Sequence, residues 1–367
     1  MSAVNLPALP QSILKKLFNK PSTYYLNPLI QPSSPQKPKK EKTAMTQTHK
    51  RTLLLTLDAF ETLFHPRPSV PEQYASAAHH FGLPKTAITA ERVLSAFKPV
   101  FKAQSQARPN YGRDDVIRGC YGGPRQWWGE IIRGTFSRVL AEHYHYNNIT
   151  TDSDNNNSNS RSQVDLPDGL VGYLLDRFAS KEGYALYDDV GPFFSHIRAV
   201  KENGGRLGPF ERVVVGVVSN SDDRVPAVLK SLGLRVGDCR ADEGVDSMRL
   251  LGFEERSSSE MTEGSGVNDG VSDIDLVITS YEAGVEKPSP RIFEVARRQA
   301  KALTRVEDLG GWTCVHVGDD VDKDYRAAVG AGWDGYFLAR GDEARSADAD
   351  NVIRSLVDLI PMLEAYR

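Results

Sequence analysis

The hydrophobic residues of this chain follow two registers. Short unbroken apolar runs, Leu53–Leu57, Val213–Val218, Leu276–Thr279, Cys314–Val317 and Tyr336–Leu338, read as strands covered on both faces, the pattern of a parallel sheet. Between them, residues around Phe193–Lys201, Val225–Leu232, Pro290–Leu303 and Asp324–Gly330 carry apolar positions three and four apart and read as helices. Strands alternating with helices predict an α/β fold built on a doubly wound parallel sheet. The helical spacing also fills a long stretch after the first strand, at Tyr74, Ala77, Ala78 and Phe81, then Val93, Phe97 and Val100, then Trp127, Trp128, Ile131 and Ile132. It predicts a helical cap over residues 66–182, inserted into an α/β core made of 51–65 and 183–367.

Three segments lack the apolar residues that offset ordering entropy, and are expected to be disordered. Residues 1–50 are rich in Pro, Ser and Lys, with Glu41 the sole acid, and form a basic leader. Residues 147–163 read NNITTDSDNNNSNSRSQ, and residues 240–272 are dense in Ser, Glu, Gly and Asp. Within the leader, Ile13, Leu14 and Leu17 oppose Lys15, Lys16 and Lys20 on a short amphipathic helix. An organelle presequence has this character, although an Arg-rich one is usual and no Arg precedes Arg51. A cytoplasmic or a mitochondrial location is therefore expected.

Composition narrows the function classes. Forty per cent apolar and 25% charged residues are ordinary for a globular chain. A net charge of −3 without a basic cluster outside the leader argues against a nucleic-acid surface, and no run approaches the roughly 18 apolar residues of a membrane span. Cys120, Cys239 and Cys314 lie far apart in no metal-ligand spacing, which argues against a disulfide framework or structural zinc.

The candidate chemistry sits at the ends of the apolar runs. Asp58 ends the first, Ser219 and Asn220 the second; Lys287 opens a helix in GVEKPSP, and Asp319, Asp320 and Asp324 follow a strand in VHVGDDVDKD. A carboxylate, a small hydroxyl, a lysine and an acidic cluster at the carboxyl ends of strands face one crevice, and suit phosphoryl or acyl transfer to a small molecule. Each has a structural alternative: a turn Asp, an N-cap, a solvated Lys, acids at a helix start.

In these four segments and their order the chain resembles the haloacid dehalogenase superfamily of hydrolases, with a Rossmann-like core. PNYGRDDVIRGCYGGPRQWWGEIIRGTF is similar to the cap of the rhythmically-expressed-gene-2-like subfamily. The resemblance spans about residues 52–340. It implies that Asp58 is the nucleophile, that Ser219 and Asn220 hold the transferring group, and that Lys287 neutralises it. It also implies Mg²⁺ held by Asp58, Asp319 and the main-chain carbonyl of Phe60, with Asp320 and Asp324 in support. Phosphatases of the superfamily carry a second Asp, the general acid and base, where this chain has Phe60. DAFETLF is closer to the DAYGTLF of dehalogenases, and the neighbouring Glu61 is expected to point away along an extended chain. The resemblance thus implies Mg²⁺-dependent phosphoryl transfer through an aspartyl intermediate, on a phosphate ester or anhydride. The alternatives are a weakly active or inactive binding protein and a dehalogenase-type enzyme. Tyr111, Arg125, Trp127 and Trp128 are candidates for the substrate side, with at least one Trp in the core because neighbours on a helix diverge by about 100°.

Overall fold

A computed structural model describes residues 51–149, 165–241, 250–253, 271–305, 311–340 and 349–367. The leader lies outside them, as do 150–163 of the first polar segment and most of the second. Seven strands form one parallel sheet in the order β5-β6-β4-β1-β7-β8-β9. They are β1 (Arg51–Leu57), β4 (Phe210–Ser219), β5 (Val236–Cys239), β6 (Ile274–Thr279), β7 (Trp312–Gly318), β8 (Asp334–Leu338) and β9 (Val352–Ile353). The five apolar runs are the five interior strands, β6, β4, β1, β7 and β8. Six of the seven residues of β1 are buried, as helices on both sheet faces require. β5 and β9, the two edges, carry no such run: β5 reads VGDC with no fully buried residue, and β9 is two residues long.

Helices at Val190–Glu202, Val225–Ser231 and Pro290–Thr304 alternate with the strands as the spacing predicts. The helix expected at Asp324–Gly330 differs. A wide turn of π-helix occupies Val321–Arg326 and a short α-helix follows at Ala327–Gly330. It begins early because Asp320 Oδ1 accepts the N–H groups of Asp322 and Lys323 at 3.0 and 2.9 Å, an N-cap.

After β1 the chain leaves the sheet through β2 (Phe64–Pro66) and returns through β3 (Tyr184–Leu186), an antiparallel two-stranded ribbon. Gln73 Nε2 ties the ribbon's base to its first helix, donating to Pro68 O and Gly183 O. Between the two strands run the helices Val70–His80, Ala90–Ala107, Arg113–Ile117, Gly123–Ile149 and Leu170–Arg177. Their apolar faces meet in an aromatic centre, where Tyr74 lies 5.9 Å from Phe97 and 5.7 Å from Phe136 between ring centroids. Phe81 and Val100, on the same stripes, are only partly buried.

No helix among the described residues is long and apolar enough to cross a membrane. Cys120, Cys239 and Cys314 are all free thiols.

Candidate active site

The carboxyl ends of four neighbouring strands build the site. β1 pairs level with both neighbours, Leu57 standing beside Val217 of β4 and Val317 of β7, so Asp58, Ser219 and Asp319 leave the sheet together. The chain order reverses at β1, and a parallel sheet opens a crevice at such a switch point. The Asp58 N–H extends the ladder by donating to Val317 O at 2.9 Å. Ser219 is buried at the end of β4.

Lys287 arrives on the loop after β6. Asn220 fixes its backbone from both sides: Asn220 Nδ2 donates to Lys287 O at 2.8 Å, and the Lys287 N–H donates to Asn220 Oδ1 at 2.7 Å. The Asn220 amide is therefore spent on placing the lysine. Lys287 Nζ donates to Asp58 Oδ1 at 2.9 Å, Asp324 Oδ1 at 2.6 Å and Val218 O at 2.8 Å. Three acceptors match the three protons of an ammonium, and Asp58, Lys287 and Asp324 are all buried.

Asp324 reaches this position because residue 318 is glycine; a Cβ there would lie 2.2 Å from Asp324 Cγ. Its second oxygen accepts the Asp320 N–H at 2.9 Å. Asp320 thus caps the following turn and passes a main-chain hydrogen bond to Asp324. Behind them His316, fully buried, spans Thr56 Oγ1 at 2.9 Å and Asp324 Oδ1 at 3.3 Å. Burial holds its pKa below the ordinary imidazole value although Asp324 pulls the other way, which favours the neutral ring. The signal for His316 was a lone polar residue inside the apolar run VHVGDD.

Thr62 Oγ1 donates to Asp319 Oδ1 at 3.2 Å. Carboxylate oxygens of Asp58, Asp319 and Asp324 all lie within 4.8 Å of one another. Three carboxylates face one ammonium, so these four groups carry a formal excess of two negative charges. A hard, all-oxygen, doubly negative set is the chemistry that fits a small divalent cation such as Mg²⁺.

Phe60, two residues past Asp58, sits among rings, its centroid 4.7 Å from Phe64 and 5.7 Å from Tyr184. Glu61 departs from the expected extended chain. It has φ 57°, within a turn closed by the Leu63 N–H donating to Ala59 O, and its carboxylate accepts the Tyr187 hydroxyl at 2.5 Å.

An open cleft rises from Asp58, Ser219 and Lys287 to the helical insertion. Of the four candidates named for the substrate side, Trp128 and Tyr111 line it. Trp127 is buried within the insertion, donating to Arg108 O at 2.9 Å. Arg125 points elsewhere, stacking on Phe253 and pairing with Asp176 at 3.2 Å. The sequence did not single out Asp222 and Arg224, a buried pair on the cleft wall just after Ser219 and Asn220. Asp222 Oδ1 accepts Arg224 Nε and Oδ2 accepts Nη2, both at 2.8 Å, and Oδ2 also takes the Trp128 indole N–H at 2.7 Å. Asp223, next to them, accepts the Phe253 N–H at 2.9 Å. Burial and the Asp222 charge push its pKa up to about 7.

Comparison with known proteins agrees with this geometry. A family model described as HAD-hydrolase-like matches residues 285–359, the stretch that holds Lys287, Asp319 and Asp324. An uncharacterized protein of Saccharomyces cerevisiae is 26% identical over 310 residues, covering 82% of this chain and 76% of its own length. Haloacid dehalogenase-like hydrolase domain-containing protein 3 of Bos taurus is 26% identical over 316 residues, covering 85% of this chain and 93% of its own. The rhythmically expressed gene 2 protein of Drosophila melanogaster is 23% identical over 319 residues, 84% of this chain and 94% of its own. In its parallel sheet, in the order of its four motifs and in sequence along most of its length, the chain is similar to the haloacid dehalogenase-like hydrolases.

Proposed function

We propose that this hydrolase transfers a phosphoryl group from a small molecule to Asp58 and then to water, with Mg²⁺ at the carboxylate cluster, and that it acts on substrates whose leaving group departs without a proton. The observation that carries the reading is the Lys287 ammonium shared between Asp58 and Asp324, beside a third carboxylate at the switch point. Asp58 and Asp319, with the Phe60 carbonyl, would hold the ion, which when bound offsets negative charge on the transferring group.

An Asp58 oxygen forms a bond to phosphorus while the bond to the leaving oxygen breaks. The leaving group takes the electron pair and departs as a carboxylate or phenolate. Water then attacks phosphorus, the Asp58 oxygen leaves as carboxylate, and the water's protons pass to phosphate and solvent. Lys287 holds Asp58 oriented and ionised and remains beside the charge that builds up. Ser219, at the mouth of β4, supplies a hydroxyl to the phosphoryl oxygens.

A phenyl ring transfers no proton, and the aromatic packing of Phe60 supports the restriction to good leaving groups. The same packing favours a second reading, a binding protein of little turnover. The test is steady-state hydrolysis of acetyl phosphate and p-nitrophenyl phosphate with Mg²⁺ and with chelator. Turnover should require Mg²⁺ and fall by about 10³-fold or more in Asp58→Asn, as expected when a nucleophile is removed. Mg²⁺ binding without turnover on either ester would leave the binding-protein reading in its place.

A further inference from the structure

We propose that the substrate carries its phosphoryl group on an apolar, uncharged body, of the aryl phosphate or bulky acyl phosphate class, seated in the cleft between the sheet and the helical insertion. The inference rests on the phosphoryl-transfer reading of the Asp58 end. Its grounds lie at the other end of the cleft.

The far wall is built of Tyr74, Phe97, Ile132, Leu174, Phe178 and Tyr184. Asp222 and Arg224 form the ion pair within it, and their charges cancel; Lys323, which also lines the cleft, lies on the turn that carries Asp324. Each nitrogen of Arg224 donates to the protein: Nε and Nη2 to Asp222, and Nη1 to Phe178 O at 3.2 Å. The guanidinium also lies against two rings, 4.9 Å from the Trp128 centroid and 4.6 Å from that of Phe253. An arginine so engaged acts mainly as a wall, since its charge is matched by Asp222, three of its five N–H donors are taken and rings cover it, which leaves little to read a second phosphate or a carboxylate. The Trp128 N–H is likewise spent on Asp222.

A sugar or glycerol body brings several hydroxyls, each needing a partner once water is gone, and an unmet one costs affinity. Ser221 Oγ is buried and without a hydrogen-bond partner among the described residues, and the phenols of Tyr74, Tyr111 and Tyr184, which burial keeps protonated, are the wall's other hydroxyls. Three of these four groups sit on aromatic rings, so a few hydroxyl contacts over an aromatic enclosure fit a ring or branched chain with few hydrogen-bonding groups.

The test separates binding from turnover by using two phosphonates, which cannot be hydrolysed, and one alkyl phosphate, whose leaving group would need a proton. With full-length protein and Mg²⁺, calorimetry compares phenylphosphonate, methylphosphonate and glucose 6-phosphate. Phenylphosphonate should bind about tenfold or more tighter than methylphosphonate, the gain for burying a ring, with glucose 6-phosphate no tighter than methylphosphonate. In turnover, kcat/KM should rise from acetyl to benzoyl phosphate by a similar factor. Equal affinity for the two phosphonates, tighter binding of glucose 6-phosphate, or binding of none of the three overturns the inference. Preference for phenylphosphonate without turnover of any ester sustains the apolar cleft and removes the hydrolase reading. Turnover indifferent to the organic body does the reverse.

Discussion

Two buried cations line one cleft and are used differently. Lys287 lies among Asp58, Asp319 and Asp324, where negative charge exceeds positive. Arg224 meets a single carboxylate, Asp222, in a fork of two hydrogen bonds, and two rings close over it. A compact ammonium can be shared between a nucleophile and its neighbour while leaving the set in need of a further cation. A planar guanidinium paired one to one leaves nothing over. The difference marks one end of the cleft for an ionic reacting group and the other for an apolar body.

The largest effect expected from disturbing this contrast is on the neutral pair. Arg224→Met strands the Asp222 charge in a dry wall and should cost about 3–5 kcal/mol of stability, whereas Asp222→Leu combined with Arg224→Met should recover most of it. Urea unfolding of the two single variants and the double variant measures this. A double variant as unstable as the worse single one would show that the pair's packing, rather than its charge balance, holds the wall.

At the ionic end, Phe60→Asp places a carboxyl two residues beyond the nucleophile. It should raise turnover of an alkyl phosphate by about 10²-fold, the low end of general-acid contributions, and change that of p-nitrophenyl phosphate little. Side-by-side kinetics on the two esters would show it, and a rise equal on both would point to a change in shape rather than proton delivery. Asp319→Asn reduces the charge excess by one. Mg²⁺ affinity should weaken by about tenfold or more by calorimetry, since a carboxylate ligand of a hard cation is lost. Unchanged affinity would remove Asp319 from the metal set.

The smallest effect concerns Asp223, a half-buried carboxylate with no cation partner among the described residues. Its pKa is raised from 3.8 to about 7 by burial and by the charge of Asp222. The folded state therefore holds a proton that the unfolded chain releases. Stability falls as pH rises from about 4 to about 7, and the loss is complete above that window. Asp223→Asn keeps an acceptor for the Phe253 N–H and never ionises. It should raise Tm by about 2–4 °C at pH 8, with no gain near pH 4, in thermal scans at the two pH values. An equal gain at both pH values would mean that the carboxylate's charge is not the cause.

The sequence by itself determined the elements that carry the chemistry. Short unbroken apolar runs that alternate with helical patterns read as strands covered on both faces, and parallel strands joined by helices deliver their carboxyl ends to one side. Asp58, Ser219 and Asp319 were legible as strand-end residues for that reason, and Lys287 as the opening of a helix. So was the helical insertion, through its spacing. What the tertiary structure decided is how side chains separated along the chain are shared. Asn220 grips the backbone of Lys287, 67 residues on, and Trp128 takes Asp222 across 94 residues. Trp127 faces inward while Trp128 faces the cleft, and Phe253, from a polar segment with little apolar pattern, becomes buried against Arg224. Periodicity reports which face of an element is apolar, but these contacts depend on where the insertion settles on the sheet, and that is fixed by packing between parts of the chain that no local pattern relates.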